Sequence, residues 1–326
     1  MAEKLSLRRL RQNPHIIDLT REVRVAVDQL IQPCFVVEGI TSKEAIPGLT
    51  GTFRETPDSL LHQIEKDLEA GIKKFLLFGV PGSKNAKHAE PSFTAKQIAA
   101  VKKRFGNDVF LAVDVCLCST TPHGQCGILT AEGDHVDNAA TVTQLAEAAL
   151  AFASAGADCV APSDMMDGRI RAIREALDGA GLERTILMSY AAKFHSRFYG
   201  PFRIAADSAP KGGTPLKDRA TYQIDPACPR DALASSLRDA EEGADILMVK
   251  PGLPYLDVLA DLSRRINKPW AVYEVSGEFA GIELMAAQGL VNGPAAHLES
   301  WTAFVRAGAS IIITYGARYA QEWIKQ

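Results

Sequence analysis

Short apolar runs recur along the chain, and longer amphipathic segments separate them. Most of the runs are continuously apolar rather than alternating, which is typical of parallel strands that are covered on both faces. The pattern predicts eight strands with one spacer after each. The predicted strands are residues 30–37, 74–80, 109–116, 159–162, 185–190, 246–250, 271–275 and 310–315.

The spacers have the period of amphipathic helices. Residues 138–155 show it clearly, with an end at Gly156, and residues 257–266 repeat it. Pro57 and Gly71 mark the start and the end of another helix just before the second strand. Strands that alternate with helices in this way predict an α/β fold, a (β/α)8 TIM barrel. The alternative is an open doubly wound sheet, but no Gly-x-Gly-x-x-Gly phosphate turn follows the first strand.

Two segments fall outside the repeating pattern, and the barrel itself would span residues 30–326. Residues 1–29 carry apolar side chains among several arginines. An isolated arm cannot bury such side chains, so we expect this N-terminal arm to pack on a neighbouring subunit; the alternative is a helix that caps its own barrel. Residues 197–225 are rich in glycine, proline and charge, which is typical of an active-site lid.

Composition narrows the class of protein. The chain has 326 residues, of which 47% are hydrophobic and 23% charged, and its net charge of -3 gives no electrostatic case for nucleic acid or an anionic membrane. Neither a signal peptide nor a run of about 18 apolar residues occurs. Six cysteines without a secretory signal indicate a reducing, cytoplasmic setting. Cys34 and Cys159 lie in apolar runs and are predicted core residues.

Three cysteines form a candidate metal site. Cys116, Cys118 and Cys126 lie within eleven residues, around a polar turn that contains His123. Thiolates so close together repel one another, and zinc is their usual partner. Three ligands leave a fourth position for water or substrate, which distinguishes a catalytic zinc from a structural one. The alternative is three reduced thiols without a metal.

Lys250 is the strongest candidate nucleophile. It ends an apolar strand and precedes Pro251, so its amine would enter a confined site at the carboxyl end of the barrel, where barrel enzymes carry out their chemistry. Burial lowers a lysine pKa, and a second cation such as Lys193 lowers it further. A neutral lysine attacks a ketone or aldehyde and forms a Schiff base. The alternative is a lysine that pairs with a carboxylate or extends to solvent.

Other reactive side chains follow the neighbouring predicted strands, and the lid adds arginines that suit a carboxylate. The candidates at strand ends are Asp114, Ser163, Asp164, Asp167, Tyr190, Glu274, Ser276 and Tyr315.

Five motifs, taken together and in order, resemble the porphobilinogen synthase (5-aminolevulinate dehydratase) family across nearly the whole chain. The motifs are residues 115–118 with His123 and Gly124, 161–169, 188–194, 198–203 and 247–251.

The resemblance implies a lyase that condenses two molecules of 5-aminolevulinate into porphobilinogen, with loss of two waters, in tetrapyrrole (haem) biosynthesis. Lys250 would form a Schiff base with the first substrate and Lys193 with the second, while zinc on the three cysteines acts as a Lewis acid. The other implied roles are proton transfer by Asp114, Ser163 and Tyr190, binding of the first carboxylate by Ser276 and Tyr315, binding of the second by Arg203, Arg219 and Gln223, and exclusion of water by Phe202.

The chain departs from the family pattern at three places. Gln125 replaces an expected His beside Cys126, which changes hydrogen bonding near the thiolates. The interval from Arg203 to Arg219 is a few residues longer than usual. Ser235 stands where some members carry a Glu for an activating magnesium ion, which weakens the case for magnesium here.

The family typically forms a homo-octamer, and its N-terminal arms embrace neighbouring subunits.

Two other functions remain open at this point. A class I aldolase-type lyase would need one lysine and would leave Lys193 and the cysteines unexplained. A non-catalytic zinc-binding scaffold would bind the metal without turning over 5-aminolevulinate.

Overall fold

The computed structural model describes residues 7–88 and 90–325, which form ten strands and eleven α-helices. The strands are β1 Leu30–Val37, β2 Glu44–Ala45, β3 Phe53–Glu55, β4 Lys74–Val80, β5 Phe110–Val115, β6 Cys159–Pro162, β7 Ile186–Lys193, β8 Ile246–Lys250, β9 Trp270–Tyr273 and β10 Ile311–Ile313. The helices are α1 Pro14–Leu19, α2 Pro57–Glu69, α3 Ser92–Phe105, α4 Asn138–Ser154, α5 Arg169–Gly179, α6 Gly200–Ala205, α7 Pro229–Glu241, α8 Leu256–Arg265, α9 Ser276–Ala287, α10 Gly293–Arg306 and α11 Ala320–Trp323.

Strand pairing closes a parallel barrel. The strands run in the order β1, β4, β5, β6, β7, β8, β9 and β10, and β10 returns to β1 through the pair Leu30 and Ile312. This closure confirms the predicted TIM barrel and excludes the open doubly wound sheet. β2 and β3 form a short antiparallel hairpin beside β1, outside the barrel.

The buried apolar residues form two layers, which explains why the strands are continuously apolar. One cluster fills the inside of the barrel and includes Phe35, Met188 and Met248. The other lies between the strands and the surrounding helices. Each strand must therefore present apolar side chains on both faces. Cys34 and Cys159 are buried within these layers, as predicted.

Local signals set the helix bounds close to their predicted positions. The side chain of Thr56 caps the first turn of α2, Pro57 is its first residue, and Gly71 adopts a φ of 85° just after its end. α4 ends at Ser154, immediately before the predicted end of that helix.

The described part of the N-terminal arm, residues 7–29, contains α1 and leaves apolar side chains exposed in the single chain, whereas residues 1–6 of the predicted arm lie outside the described residues. Leu10, Ile17 and Leu19 are 50%, 40% and 82% exposed, and α1 buries none of its residues. The segment 197–225 is mostly irregular but includes α6, which the sequence pattern did not predict. In the described part of the chain, the structure has no helix with the length and apolar character that a membrane span requires.

Candidate active site and metal site

Two lysines lie side by side at the carboxyl end of the barrel. β7 continues three residues beyond its predicted end at Tyr190, and a shift in its pairing with β8 places Lys193 opposite Lys250. Both side chains are buried, with 5% and 3% of their surfaces exposed. Because their strands are neighbours, the two amines share one low-dielectric space.

Lys250 is enclosed by aromatic rings. Its Nζ lies 4.0 Å from the centroid of Tyr273 and 4.8 Å from that of Phe202, and the rings of Tyr190 and Tyr199 are within 5.5 Å. Burial and, after it, the charge of Lys193 together lower the pKa of Lys250 to about 7, against the opposing charge of Asp114. A substantial fraction of Lys250 is therefore a neutral amine near pH 7.

Asp114, Ser163 and Tyr190 line the same space. Lys193 donates a hydrogen bond to the backbone carbonyl of Ser163, and its Nζ lies 5.6 Å from the centroid of the Tyr190 ring. Burial raises the pKa of Asp114 to about 6, although Lys193 and Ser163 act in the opposite direction. Asp114 can therefore hold or release a proton near neutral pH, as general acid–base work requires.

The three predicted metal ligands converge. The sulfur atoms of Cys116, Cys118 and Cys126 all lie within 4.8 Å of one another. Hydrogen bonds from the other two thiols hold the pKa of Cys126 well below its ordinary value, and the charge of Arg219 adds to the effect. A largely buried cluster of soft sulfur donors, in which only Cys116 is partly exposed, favours a thiolate and could hold a metal ion.

His123 braces the cysteine turn. Its Nδ1 accepts a hydrogen bond from the backbone N–H of Gln125 at 3.1 Å. Its Nε2 is buried and has no hydrogen-bond partner among residues 7–88 and 90–325. The candidate metal-binding group comprises the three cysteines and does not include His123.

Gln125 joins the cysteine turn to the lid. Its side chain is fully buried, donates to the carbonyl of Leu216 at 3.0 Å and accepts from the hydroxyl of Tyr222 at 2.7 Å. The same hydroxyl accepts the backbone N–H of Cys126 at 3.1 Å. Arg219 adds a hydrogen bond to the carbonyl of Gly124 at 2.9 Å. Gln125 is thus engaged by the lid through both ends of its amide.

The lid carries polar groups that lack partners. Both amide atoms of Gln223 and the Nε atoms of Arg203 and Arg219 are buried without a hydrogen bond to any other described residue. Burial lowers the pKa of Arg203, and the neighbouring charge of Arg219 lowers it further. Buried unpaired donors next to two guanidinium groups suit an anionic ligand such as a carboxylate.

Ser276 and Tyr315 each contact one of the aromatic residues that enclose Lys250. The Ser276 hydroxyl accepts the backbone N–H of Phe202 at 3.0 Å, and Tyr315 accepts a hydrogen bond from Tyr273 at 3.2 Å. The ring of Phe202 packs edge-on against Phe78 at 5.1 Å. α6 therefore brings the lid against Lys250.

Sequence reasoning missed three residues of this site. Tyr273 ends β9, so the strand-end rule that located Lys250 should also have located it. Tyr199 and Tyr222 lie in the lid, where spacing gives no comparable signal. Glu274 was a strand-end candidate, but its carboxylate contacts His297 and Trp301 and does not join the site.

The fold and this constellation of residues define a (β/α)8 barrel with two paired, buried lysines at the carboxyl end of its strands. The sequence profile of the delta-aminolevulinic acid dehydratase family matches residues 4–323. The chain belongs to this family, whose members condense two molecules of 5-aminolevulinate into porphobilinogen. The family, barrel and lyase reaction predicted from the sequence are therefore confirmed.

Individual relatives match this chain over nearly its full length. The delta-aminolevulinic acid dehydratase of Methanothermus sociabilis is 42% identical over 316 residues, which are 95% of this chain and 96% of the relative. That of Bacillus subtilis is 39% identical over 323 residues, 98% of each chain. A crystal structure of the Toxoplasma gondii ME49 enzyme with porphobilinogen has a TM-score of 0.94 and 40% identity, and the match covers 99% of this chain and 92% of that one.

Proposed function

We propose that Lys250 and Lys193 carry out the family's condensation by forming one imine each with two molecules of 5-aminolevulinate. The observation that carries this assignment is the pair itself: two buried amines from neighbouring strands, one of them with a pKa of about 7. A neutral amine attacks the ketone carbon and releases water, and the imine then activates the adjacent carbon. Two copies of one substrate held together supply the proximity that the condensation needs.

Two carboxylate pockets would orient the two substrates. Ser276 and Tyr315 would bind the carboxylate of the molecule on Lys250. Arg203, Arg219 and Gln223 would bind that of the molecule on Lys193, which would pair the donors that are otherwise buried alone. Asp114, Ser163 and Tyr190 would transfer protons, and Phe202 with the rest of the lid (residues 197–225) would exclude water, which hydrolyses imines.

Zinc is the metal that we assign to Cys116, Cys118 and Cys126. Three converging sulfur donors, with Cys118 and Cys126 buried and Cys116 partly buried, suit its preference for thiolates and leave a coordination position for a ligand. When bound there, zinc supplies Lewis acidity beside the second substrate. The chain's own contribution is to hold the thiolates together and to place Arg219 against them.

A magnesium site at Ser235 is not part of this proposal. The guanidinium of Arg238 lies 3.3 Å from the Ser235 hydroxyl and forms ion pairs with Asp167 and Asp239. Because Arg238 already engages both of these carboxylates, they are less available as ligands for a divalent cation.

The exposed apolar side chains of the arm support assembly into a homo-oligomer, and we propose an octamer as in the family. We further propose that residues 30–326 form the catalytic barrel and that the enzyme works in the cytoplasm, where its cysteines stay reduced.

Borohydride trapping with 5-aminolevulinate tests the lysine assignment. Reduction of the imine should link the substrate covalently to Lys250, and mass spectrometry of the digested protein identifies the modified peptide. Lys250→Met should abolish both the adduct and porphobilinogen formation. Lys102→Met is a matched control, because Lys102 pairs with Asp158 outside the site. An intact wild-type enzyme that never acquires an adduct on Lys250 would refute the assignment.

Removal of the metal tests the cysteine assignment. Chelation should abolish porphobilinogen formation, and zinc should restore it to the wild-type chain but not to Cys126→Ser. Direct zinc binding should fall in the same variant. Full activity in a sample free of zinc would contradict the role given to the cysteines.

A further inference from the structure

A buried carboxylate lies behind the first carboxylate pocket and takes no part in the proposed reaction. Glu274 follows β9 and is 0% exposed. Its Oε2 accepts hydrogen bonds from Thr314 Oγ1 at 2.5 Å and from Trp301 Nε1 at 3.0 Å, and its Oε1 lies 3.1 Å from Nδ1 of His297. One carboxylate therefore joins the ends of β9 and β10 to α10.

His297 meets a second carboxylate on its other side. Its Nε2 lies 3.2 Å from Glu283 of α9, and its ring stacks on Phe279 at 4.8 Å and on Trp323 at 5.0 Å. Burial alone would lower the pKa of His297, but its hydrogen bonds to Glu274 and Glu283 and the charges of these groups raise it. The imidazolium can donate to both carboxylates at once.

This cluster fixes the two residues that would bind the first carboxylate. Ser276 lies two residues after Glu274, at the start of α9. Tyr315 lies between Thr314, which donates to Glu274, and Gly316, whose N–H donates to Thr314 at 3.1 Å. The ring of Phe279 also packs against Tyr315 at 5.9 Å. A change at Glu274 would therefore move Ser276 and Tyr315 together.

We propose that Glu274 and His297 are positioning residues that hold Ser276 and Tyr315 at the distance required by a keto acid's carboxylate. The pair acts through these two residues and does not touch the substrate. This inference rests on the proposed function, because it assumes that the ketone of the same molecule reacts with Lys250.

Trapping of two different ketones on Lys250 distinguishes a displaced carboxylate pocket from damage to Lys250 itself. 4-Oxopentanoate has the substrate's carbon chain without the amino group, and 2-pentanone lacks the carboxylate as well. Cyanoborohydride trapping of each on Lys250 gives a carboxylate preference, the ratio of the two trapping rates. Only a change in the pocket moves this ratio, whereas general loss of structure slows both reactions.

We expect Glu274→Gln to lower the carboxylate preference about tenfold with little change for 2-pentanone, because the amide presents a donor to groups that already donate. Thr314→Val should also lower the carboxylate preference. Thr314→Ser, which keeps the hydroxyl, should retain the preference of the unaltered chain. Glu299→Gln is the matched control, because Glu299 is an exposed carboxylate on the same helix as His297.

The outcomes separate the inference from the function on which it rests. An unchanged preference in a folded Thr314→Val variant would overturn the inference while leaving Lys250 as the nucleophile. Absence of any adduct on Lys250 of the unaltered chain would instead refute the proposed function. If Glu274→Gln does not fold, the pair Thr314→Val and Thr314→Ser still decides the question.

Discussion

Lys250 must lose a proton before it can attack a ketone, and its surroundings determine the pH at which this happens. Below its pKa of about 7 the ammonium has no lone pair, and above it the neutral amine reacts. Burial and the charge of Lys193 both lower this pKa. Removing the charge in Lys193→Met should therefore raise the pKa of Lys250 towards the ordinary value of 10.5.

Trapping of 4-oxopentanoate on Lys250 at a series of pH values measures this shift. In Lys193→Met the midpoint should move to higher pH, and the trapping rate at neutral pH should fall roughly tenfold for each unit of the rise. Lys102→Met, which removes an amine outside the site, should leave the midpoint unchanged. A midpoint that stays constant or falls in Lys193→Met would show that the two amines are not coupled.

The cysteine turn and the lid approach each other closely at a glycine. Gly124 has a φ of +70°, and a Cβ added there would lie 2.3 Å from the carbonyl oxygen of Ala209 in the lid. Gly133 has nearly the same φ, +69°, but its nearest neighbour would be Pro215 at an ordinary 3.5 Å. Alanine should therefore cause backbone strain of about 1–2 kcal/mol at either position, but displace the lid only at Gly124.

Hydrogen–deuterium exchange of residues 204–223 distinguishes the two effects. Gly124→Ala should speed exchange in the lid and raise KM for 5-aminolevulinate several-fold, because the Arg219 contact with residue 124 is disturbed. Gly133→Ala should lose similar stability and keep the lid protected. Equal lid exchange in both variants would mean that the close approach to Ala209 does not order the lid.

The strands that the sequence predicted well are those with a clear, continuous apolar run. Four strands have the predicted bounds, because apolar runs end where the chain leaves the barrel: residues 30–37, 74–80, 159–162 and 246–250. β7 was predicted too short. Its pairing with β8 is irregular between Ser189 and Ala192, and this irregularity, which places Lys193 opposite Lys250, cannot be read from the hydrophobic pattern of the sequence.

Contacts between distant segments were not predictable from spacing. The hydrogen bond between Gln125 and Tyr222 joins residues 97 positions apart, and only the closed fold brings them together. The same limit applies to Glu274. The strand-end rule locates its backbone correctly, but packing of α10 against the barrel turns its side chain towards His297. The rule therefore locates candidate residues, while side-chain direction depends on the neighbouring helices.

The N-terminal arm leaves apolar surface that the rest of the single chain does not cover. Leu10, Ile17 and Leu19 are exposed on a segment whose short helix α1 buries none of its own residues. Isolated helices of this length are marginal in water, so packing on another surface would stabilise the arm. If that surface belongs to a neighbouring subunit, replacing the three side chains with serine should lower the mass of the assembly.

Light scattering coupled to size-exclusion chromatography measures the mass, and circular dichroism checks that the barrel remains folded. Replacing Arg8, Arg9 and Arg11 with glutamine is the matched control, because it alters the same arm without removing apolar surface. We expect a smaller assembly for the serine variant and an unchanged mass for the control. If the arm instead caps its own barrel, the serine variant should unfold at a lower temperature while its assembly keeps the same mass, and that result would overturn the intersubunit role.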